Sequence, residues 1–255
     1  MKLTIDTTKK ILIQEKNGHR VSIDLYSKES FELISQQWVK LGWSQKYPYT
    51  FTWMGRPIIQ LPEDMLRIQE LIFRMKPEVI IETGVAHGGS LIYYASLCKI
   101  MGQGRVIGIE IDLRPGNREA IETHDLFPYI TLIEGDSTAP EVIKQVKSWI
   151  RSEENVLLIL DSCHQKSHVR KELEAYHVLI KVGHYAVVCD GIMEDVADVP
   201  EGQSEWVWNH PAAAALEFVR EHPEFAIEEP SWPFNESRLN KIVTHWPGAW
   251  LRRKA

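Results

Sequence analysis

The stretch Val79-Ile80-Ile81-Glu82-Thr83-Gly84-Val85-Ala86-His87-Gly88-Gly89-Ser90-Leu91-Ile92 decides how this chain folds. A short apolar run enters a glycine-rich turn, and an apolar helical stretch begins at Gly89. Glycines let the backbone turn tightly and approach a ligand with no Cβ in the way. A helix that starts there presents free N–H groups, which suit a carboxylate or a phosphate. The plainer alternative is a tight strand-to-helix connection with no ligand. The spacing also departs from Gly-x-Gly-x-x-Gly, because Ala86 stands where the second glycine belongs, and this weighs against an ordinary dinucleotide site.

Working outward, short apolar runs recur at Val79–Ile81, Val106–Ile109, Ile130–Ile133, Val156–Leu160 and Tyr185–Val188. Helical stretches near Gly89–Met101, Asn117–His124, Pro140–Arg151 and Ser167–Lys181 separate them. Near-continuous apolar strands alternating with helices imply a mostly parallel sheet covered on both faces, a doubly wound α/β fold. Ahead of the first run, Leu66, Ile68, Leu71, Ile72 and Met75 share one helical face. Pro62, Glu63 and Asp64 give that helix a pre-set start and favourable dipole charge.

Residues 1–60 read as an N-terminal extension or lid, and 61–255 as the main domain. In the extension, Leu3–Ile5 and Val21–Leu25 flank an Asn17-Gly18 turn as a hairpin. A stretch rich in Trp, Tyr and Gln, Gln36 to Trp53, follows with little periodicity. Past Asp190, a polar loop with Trp206 and Trp208 leads to a helix over Pro211–His222. Strand-like pieces at Phe225–Ile227 and Lys241–Thr244 follow. The post-sheet tryptophans, Trp232 included, fit either a sugar ring or core packing. Trp53 and Arg56 fit either a lid or helix packing.

Composition narrows the function classes. With 44% hydrophobic residues in 255, a full core can form. The net charge is −6 and no basic stripe with interleaved aromatics is present, which argues against a nucleic-acid partner. No apolar run reaches the roughly 18–20 residues of a membrane span. Charges break up the N-terminus, so no signal peptide is expected. Cys98, Cys163 and Cys189 show no framework spacing, which fits a reducing compartment and a cytoplasmic protein.

In open parallel sheets, ligands bind beyond the carboxyl ends of the strands. Here those ends carry Glu82, Glu110, Gly135-Asp136, Asp161 and Asp190, a row of acids that invites a functional reading. Glu110, after the second strand, is placed to accept hydrogen bonds from the ribose of an adenosine cofactor. Such a contact serves NAD and S-adenosylmethionine alike. Glu110 and Asp112 otherwise read as solvated loop carboxylates.

Glu82-x-Gly84-x-x-x-Gly88-x-Ser90, with Ile109-Glu110-Ile111 about twenty residues beyond, resembles the catechol O-methyltransferase group of class I methyltransferases. The fuller string from Ile81 to Ile92 is more similar to the cephalosporin hydroxylase family. Gly55-Arg-Pro-Ile-Ile-Gln-Leu-Pro62 and Leu160-Asp-Ser-Cys-His164 carry the same resemblance, which covers residues 50–250. That family is methyltransferase-like and includes enzymes proposed to methylate sugar hydroxyls. The resemblance implies a Rossmann-like class I fold, S-adenosyl-L-methionine as cofactor and Mg²⁺ as metal. It implies that Glu82, Gly84, His87, Gly88 and Ser90 surround the methionine part of the cofactor. By the same token Glu110 holds the ribose, and Asp136 and Ser137 border the adenine. Asp161 and Asp190 would be metal ligands, with Asp161 counted in the catalytic set. His164 falls where the catechol enzymes keep a catalytic lysine, and is expected to be the general base.

The chemistry agrees with this reading. A hydroxyl oxygen is a poor nucleophile until a metal or base assists it. Mg²⁺ takes hard oxygen ligands, and a histidine near its ordinary pKa can accept the proton. The sequence departs from the family at Cys189-Asp190-Gly191, where a third protein ligand is missing or moved. Glu194 and Asp195 stand nearby, water can complete the shell, or no metal is used. A Cys163–His164–Cys189 zinc trio lacks ligand spacing, and His168, His177 and His184 read as surface or packing residues. The expected activity is Mg²⁺-assisted O-methylation of a small-molecule or glycan hydroxyl. The rivals are a metal-dependent hydroxylase, which needs two histidines and one carboxylate, and a non-catalytic cofactor-binding scaffold. Self-association through the N-terminal hairpin and aromatic stretch is a further expectation.

Overall fold

The computed structural model describes all 255 residues. In chain order its elements are β1 (Lys2–Asp6), β2 (Ile11–Lys16), β3 (His19–Asp24), α1 (Lys28–Ser44), β4 (Thr52–Trp53), β5 (Arg56–Pro57) and α2 (Pro62–Met75). Then come β6 (Val79–Thr83), α3 (Gly89–Met101), β7 (Arg105–Glu110), α4 (Pro115–Glu122), β8 (Ile130–Glu134), α5 (Pro140–Ser148) and β9 (Val156–Leu160). The chain closes with α6 (Lys166–Tyr176), β10 (Tyr185–Val188), α7 (Pro211–Glu221), β11 (Phe225–Ile227) and β12 (Trp250–Arg253).

The seven-stranded central sheet runs β11-β12-β10-β9-β6-β7-β8. Its five middle-to-edge strands from β10 to β8 are parallel, and β12 is antiparallel to both its neighbours. Every residue of β6 and β9 is buried, as continuous apolar strands covered on both faces must be. One core lies on the α2–α3 face around Ile68, Tyr94 and Trp250. The other lies on the α5–α6–α7 face around Val146, Leu173 and Phe218. Because β6 leads on to β7 on one side and pairs with β9 on the other, the strand order reverses between β6 and β9. A crevice opens at such a switch point, beyond the strand ends.

Three expectations need correction. The Asn17-Gly18 turn, with φ of 51° and 77°, does close a hairpin, but between β2 and β3. The predicted partner Leu3–Ile5 lies in β1, a third strand antiparallel to β2. Positive φ at both turn residues matches the right-handed twist of the flanking strands. Helix α1 occupies much of the stretch read as aperiodic, capped by the Ser27 hydroxyl accepting from the Ser30 N–H at 3.1 Å. It buries only Ser30 and Val39, so it leaves little apolar stripe in the sequence. Finally, Lys241–Thr244 is not a strand. Its end is held by the Asp64 carboxylate, which accepts from the Thr244 hydroxyl and from the His245 N–H at 2.9 Å. The antiparallel strand is Trp250–Arg253.

Candidate active site

The site is a cleft of about 360 Å³ at the β6/β9 switch point, lined from five strand ends and from the Pro57–Gln60 segment. Backbone hydrogen bonds continue past the strands and fix those ends together. The Gly84 N–H donates to Ile109 O at 2.8 Å, Asp161 N–H to Thr83 O at 2.9 Å, and Gly135 N–H to Glu110 O at 2.8 Å. Gly84 has φ of 85°, and a Cβ there would run into the backbone carbonyl of Asp161. Only glycine lets the two loops meet so closely.

The glycine-rich turn is held from three directions. Glu110 accepts from the Val85 and Ala86 N–H groups at 2.8 and 3.0 Å through one oxygen, and from the Ile111 N–H at 2.9 Å through the other. The Asn117 amide donates to Ala86 O at 2.9 Å. From β5, the Arg56 guanidinium donates twice to His87 O, at 3.0 and 2.5 Å. Arg56 therefore straps the turn, whereas Trp53 packs on Tyr93 and donates to Ser96 at 3.1 Å.

Of the residues read from the sequence, Gly84, His87, Ser90, Glu110, Asp136, Ser137, Asp161, His164 and Asp190 all line this cleft. Glu82 and Gly88 do not. Glu82 is fully buried behind Ser90, whose hydroxyl donates to it at 2.7 Å. Burial, then the nearby Glu110 charge, pushes its carboxyl up to about 8, because desolvation disfavours the charged form. Gly88 caps α3 with φ of 80° and faces Ile121. Asp136 accepts from the Thr138 N–H and hydroxyl, both at 2.8 Å, and these bonds hold it below the usual carboxylate range. Asp112 is exposed and lies outside the cleft.

At one end of the cleft, Asp161, His164 and Asp190 each present a ligand atom within 4.8 Å of the others. His164 Nε2 lies 3.5 Å from the Asp190 carboxylate. Burial, the Asp190 charge and the Glu82 charge push the Asp161 carboxyl well above its ordinary value. Asp190 sits at φ of 55°, a strained conformation of the kind that collects at functional sites. The group that lies within reach of both carboxylates is thus His164, not Glu194 or Asp195. Glu194 turns to His210 at 3.7 Å, and Asp195 faces another groove. The cysteines are free, and none joins a cluster with ligand spacing.

Several residues escaped the sequence reading. Glu172 on α6 is fully buried and accepts from Ser137 at 2.5 Å and from Ser162 at 2.7 Å, tying the β8 and β9 loops together. His168, read as surface or packing, also lines the cleft, and its hydrogen bond with Glu172 raises its pKa. A carboxylate within the buried stripe of Val169, Leu173 and Tyr176 was the available signal for Glu172. The Gln60 side chain is buried against the cleft with neither polar atom bonded, and Tyr49 completes the wall.

A switch-point cleft with a glycine turn and a carboxylate at the end of the second parallel strand defines a doubly wound, Rossmann-like architecture with a ligand site at its strand ends. Within it, a family model described as rhamnosyl O-methyltransferase/CmcI matches residues 45–254, and the chain belongs to that family. It is 33% identical over 147 residues to the rhamnosyl O-methyltransferase of Mycobacterium leprae, covering 55% of this chain and 60% of that one. The corresponding protein of Mycobacterium tuberculosis strain H37Rv is 29% identical over 142 residues, 54% of this chain and 56% of that one. These alignments span less than two thirds of the relatives' length. A solved CmcI structure with Mg and SAM superposes with a TM-score of 0.53 at 22% identity, covering 81% of this chain and 78% of that one. An apo CmcI structure gives 0.52 at 21% identity, over 81% and 77%. Both likenesses bear on the fold. No helix is long and apolar enough to cross a membrane.

Proposed function

We propose that this chain is an S-adenosylmethionine-dependent O-methyltransferase that acts on a sugar hydroxyl with the help of Mg²⁺. The observation that carries the reading is the Asp161–His164–Asp190 cluster opening into the same cleft as the glycine turn and Glu110. The relatives' names, rhamnosyl O-methyltransferase, support a sugar acceptor, and rhamnosides are the first class to try.

The residues suit such a ligand. The Glu110, Asp136 and Asp190 carboxylates line the cleft, and negative charge there favours a cationic sulfonium. The start of α3 offers backbone N–H donors to a carboxylate. Glu110 keeps one lone pair, on Oε1, for a ribose hydroxyl, and Asp136 and Ser137 border the adenine end. Asp161 and Asp190 supply hard oxygens of the kind Mg²⁺ prefers, and the unbonded Gln60 amide shares their cleft. When bound, Mg²⁺ would lower the cost of deprotonating the acceptor hydroxyl. His164 takes that proton as the acceptor oxygen bonds the methyl carbon and the carbon–sulfur bond breaks, its electron pair staying on sulfur. Gly84 and the Glu172 bonds hold the reacting loops in place.

The cluster offers one histidine and two carboxylates, the reverse of the set an iron oxygenase uses. Calorimetric titration with S-adenosylmethionine and with NAD⁺, with and without Mg²⁺, tests the reading. Micromolar binding of the first alone is expected, followed by methyl transfer to rhamnosides. Preference for NAD⁺, or activity indifferent to both Asp161→Ala and His164→Ala, would overturn it. His164→Ala separates two roles: loss of Mg²⁺ affinity marks a ligand, and a lost acidic limb of the pH profile with metal retained marks the base.

A further inference from the structure

A second chamber of about 290 Å³ opens off the cleft, and Tyr49, Ile59 and Asp190 line both. Its walls are Trp43 from α1 and Trp206 from the loop after β10, meeting edge to face with centroids 5.5 Å apart and planes at 85°. Pro48 and Tyr49 also line it. At the mouth, Lys46 pairs with Glu201 at 3.3 Å, both side chains largely in solvent.

His245 is the floor. It is 6% exposed, and its Nε2 is buried without a hydrogen-bond partner. Its backbone is fixed on both sides: the N–H donates to Asp64 at 2.9 Å and the carbonyl accepts from the Ile192 N–H at 3.0 Å. The ring therefore cannot escape to water by a small loop shift. A buried polar atom with no partner is costly, and His245 lines a chamber that adjoins the predicted metal ligand Asp190.

Aromatic walls, a fixed histidine and a charged rim are surroundings that suit a sugar ring. Its C–H face packs on aromatic rings, and its hydroxyls require placed partners. The volume lies at the small end of ligand sites, which span about 300–1,000 Å³, and so takes one ring. We infer that this chamber is the acceptor subsite, in which a single glycosyl ring lies against Trp43 and Trp206 beside His245, presenting its reactive hydroxyl toward Asp190. The inference rests on the methyltransferase reading for its chemistry and on the cavity for its location. Trp43 lies just upstream of the stretch that matches the family model, so α1 contributes to acceptor choice from outside that stretch.

Saturation-transfer NMR and titration with methyl α-L-rhamnopyranoside test this on the full chain, with and without S-adenosylhomocysteine. Wild-type protein should transfer saturation to the ring protons. Trp206→Ala and His245→Gln should each weaken rhamnoside binding at least fivefold while S-adenosylmethionine affinity stays within twofold. Trp206→Phe should recover much of the loss. If Trp206→Ala does not fold, as judged by its melting curve, His245→Gln carries the test. Unchanged rhamnoside affinity in the folded variants overturns the inference. So does a wild-type chain that binds S-adenosylmethionine yet no rhamnoside. A chain that binds rhamnoside in this chamber but neither binds nor uses S-adenosylmethionine instead defeats the proposed activity and leaves the subsite standing.

Discussion

Replacing Glu82 with Gln should change how stability depends on pH more than it changes stability at any one pH. Glu82 is fully buried, makes one hydrogen bond, to Ser90, and leaves Oε1 unpartnered. Its carboxyl is held at about 8 against 4.5 for the free group. Between those values the native state binds more protons than the unfolded chain, so stability falls as pH rises. The slope from this one group reaches ~1.4 kcal/mol per pH unit, or roughly 3–5 kcal/mol over the whole window. Glutamine keeps the shape and an acceptor for Ser90 but cannot ionise. Urea unfolding of both proteins at pH 5, 6, 7 and 8 gives the comparison. The variant should gain on the wild type steadily across the series and level off above pH 8. A stability difference that stays flat from pH 5 to 8 would mean Glu82 is already ionised in the fold, and the argument from burial would fail.

Glu154 behaves in the opposite sense. Its bidentate pair with Arg105, at 2.5 and 3.0 Å, holds it at about 2. Glu154→Gln should therefore cost about 1–3 kcal/mol at pH 7, a loss that shrinks as pH falls from 4.5 toward 2, as acid-series melts would show. Glu172→Ala should cost about 2–4 kcal/mol by stranding the Ser137 and Ser162 hydroxyls and opening a void. It should also weaken S-adenosylmethionine binding, and a calorimetric Kd matching wild type would separate the clamp from the site. Gly84→Ala, forced to hold positive φ against the Asp161 carbonyl, should lower Tm by several degrees and abolish cofactor binding in the same titration.

The parallel sheet was legible because its strands are apolar on both faces and regularly spaced, and its ends could be found from the acids that close them. Helix α1 was not, since a helix that buries only Ser30 and Val39 prints no stripe. Strand β12 was missed because its pairing depends on partners more than sixty residues back in β10. In the site, the acids at the strand ends singled out Asp161 and Asp190, and the family resemblance implied their roles and that of His164. Their mutual closeness is a property of the β9 and β10 ends lying side by side. Glu172, Gln60 and His245 are conspicuous only by being buried and by what they do or do not bond, and tertiary structure alone supplies that.

The left-handed backbone at Asp190 has a consequence for descent. At φ of 55°, side chains other than Gly, Asn and Asp are disfavoured, so the position is open to few replacements. The most conservative, asparagine, lies a single nucleotide from aspartate, keeps the bend and discards the charge. On the proposed function that one step would remove a metal-binding carboxylate while keeping the bend, and the reverse step would restore it.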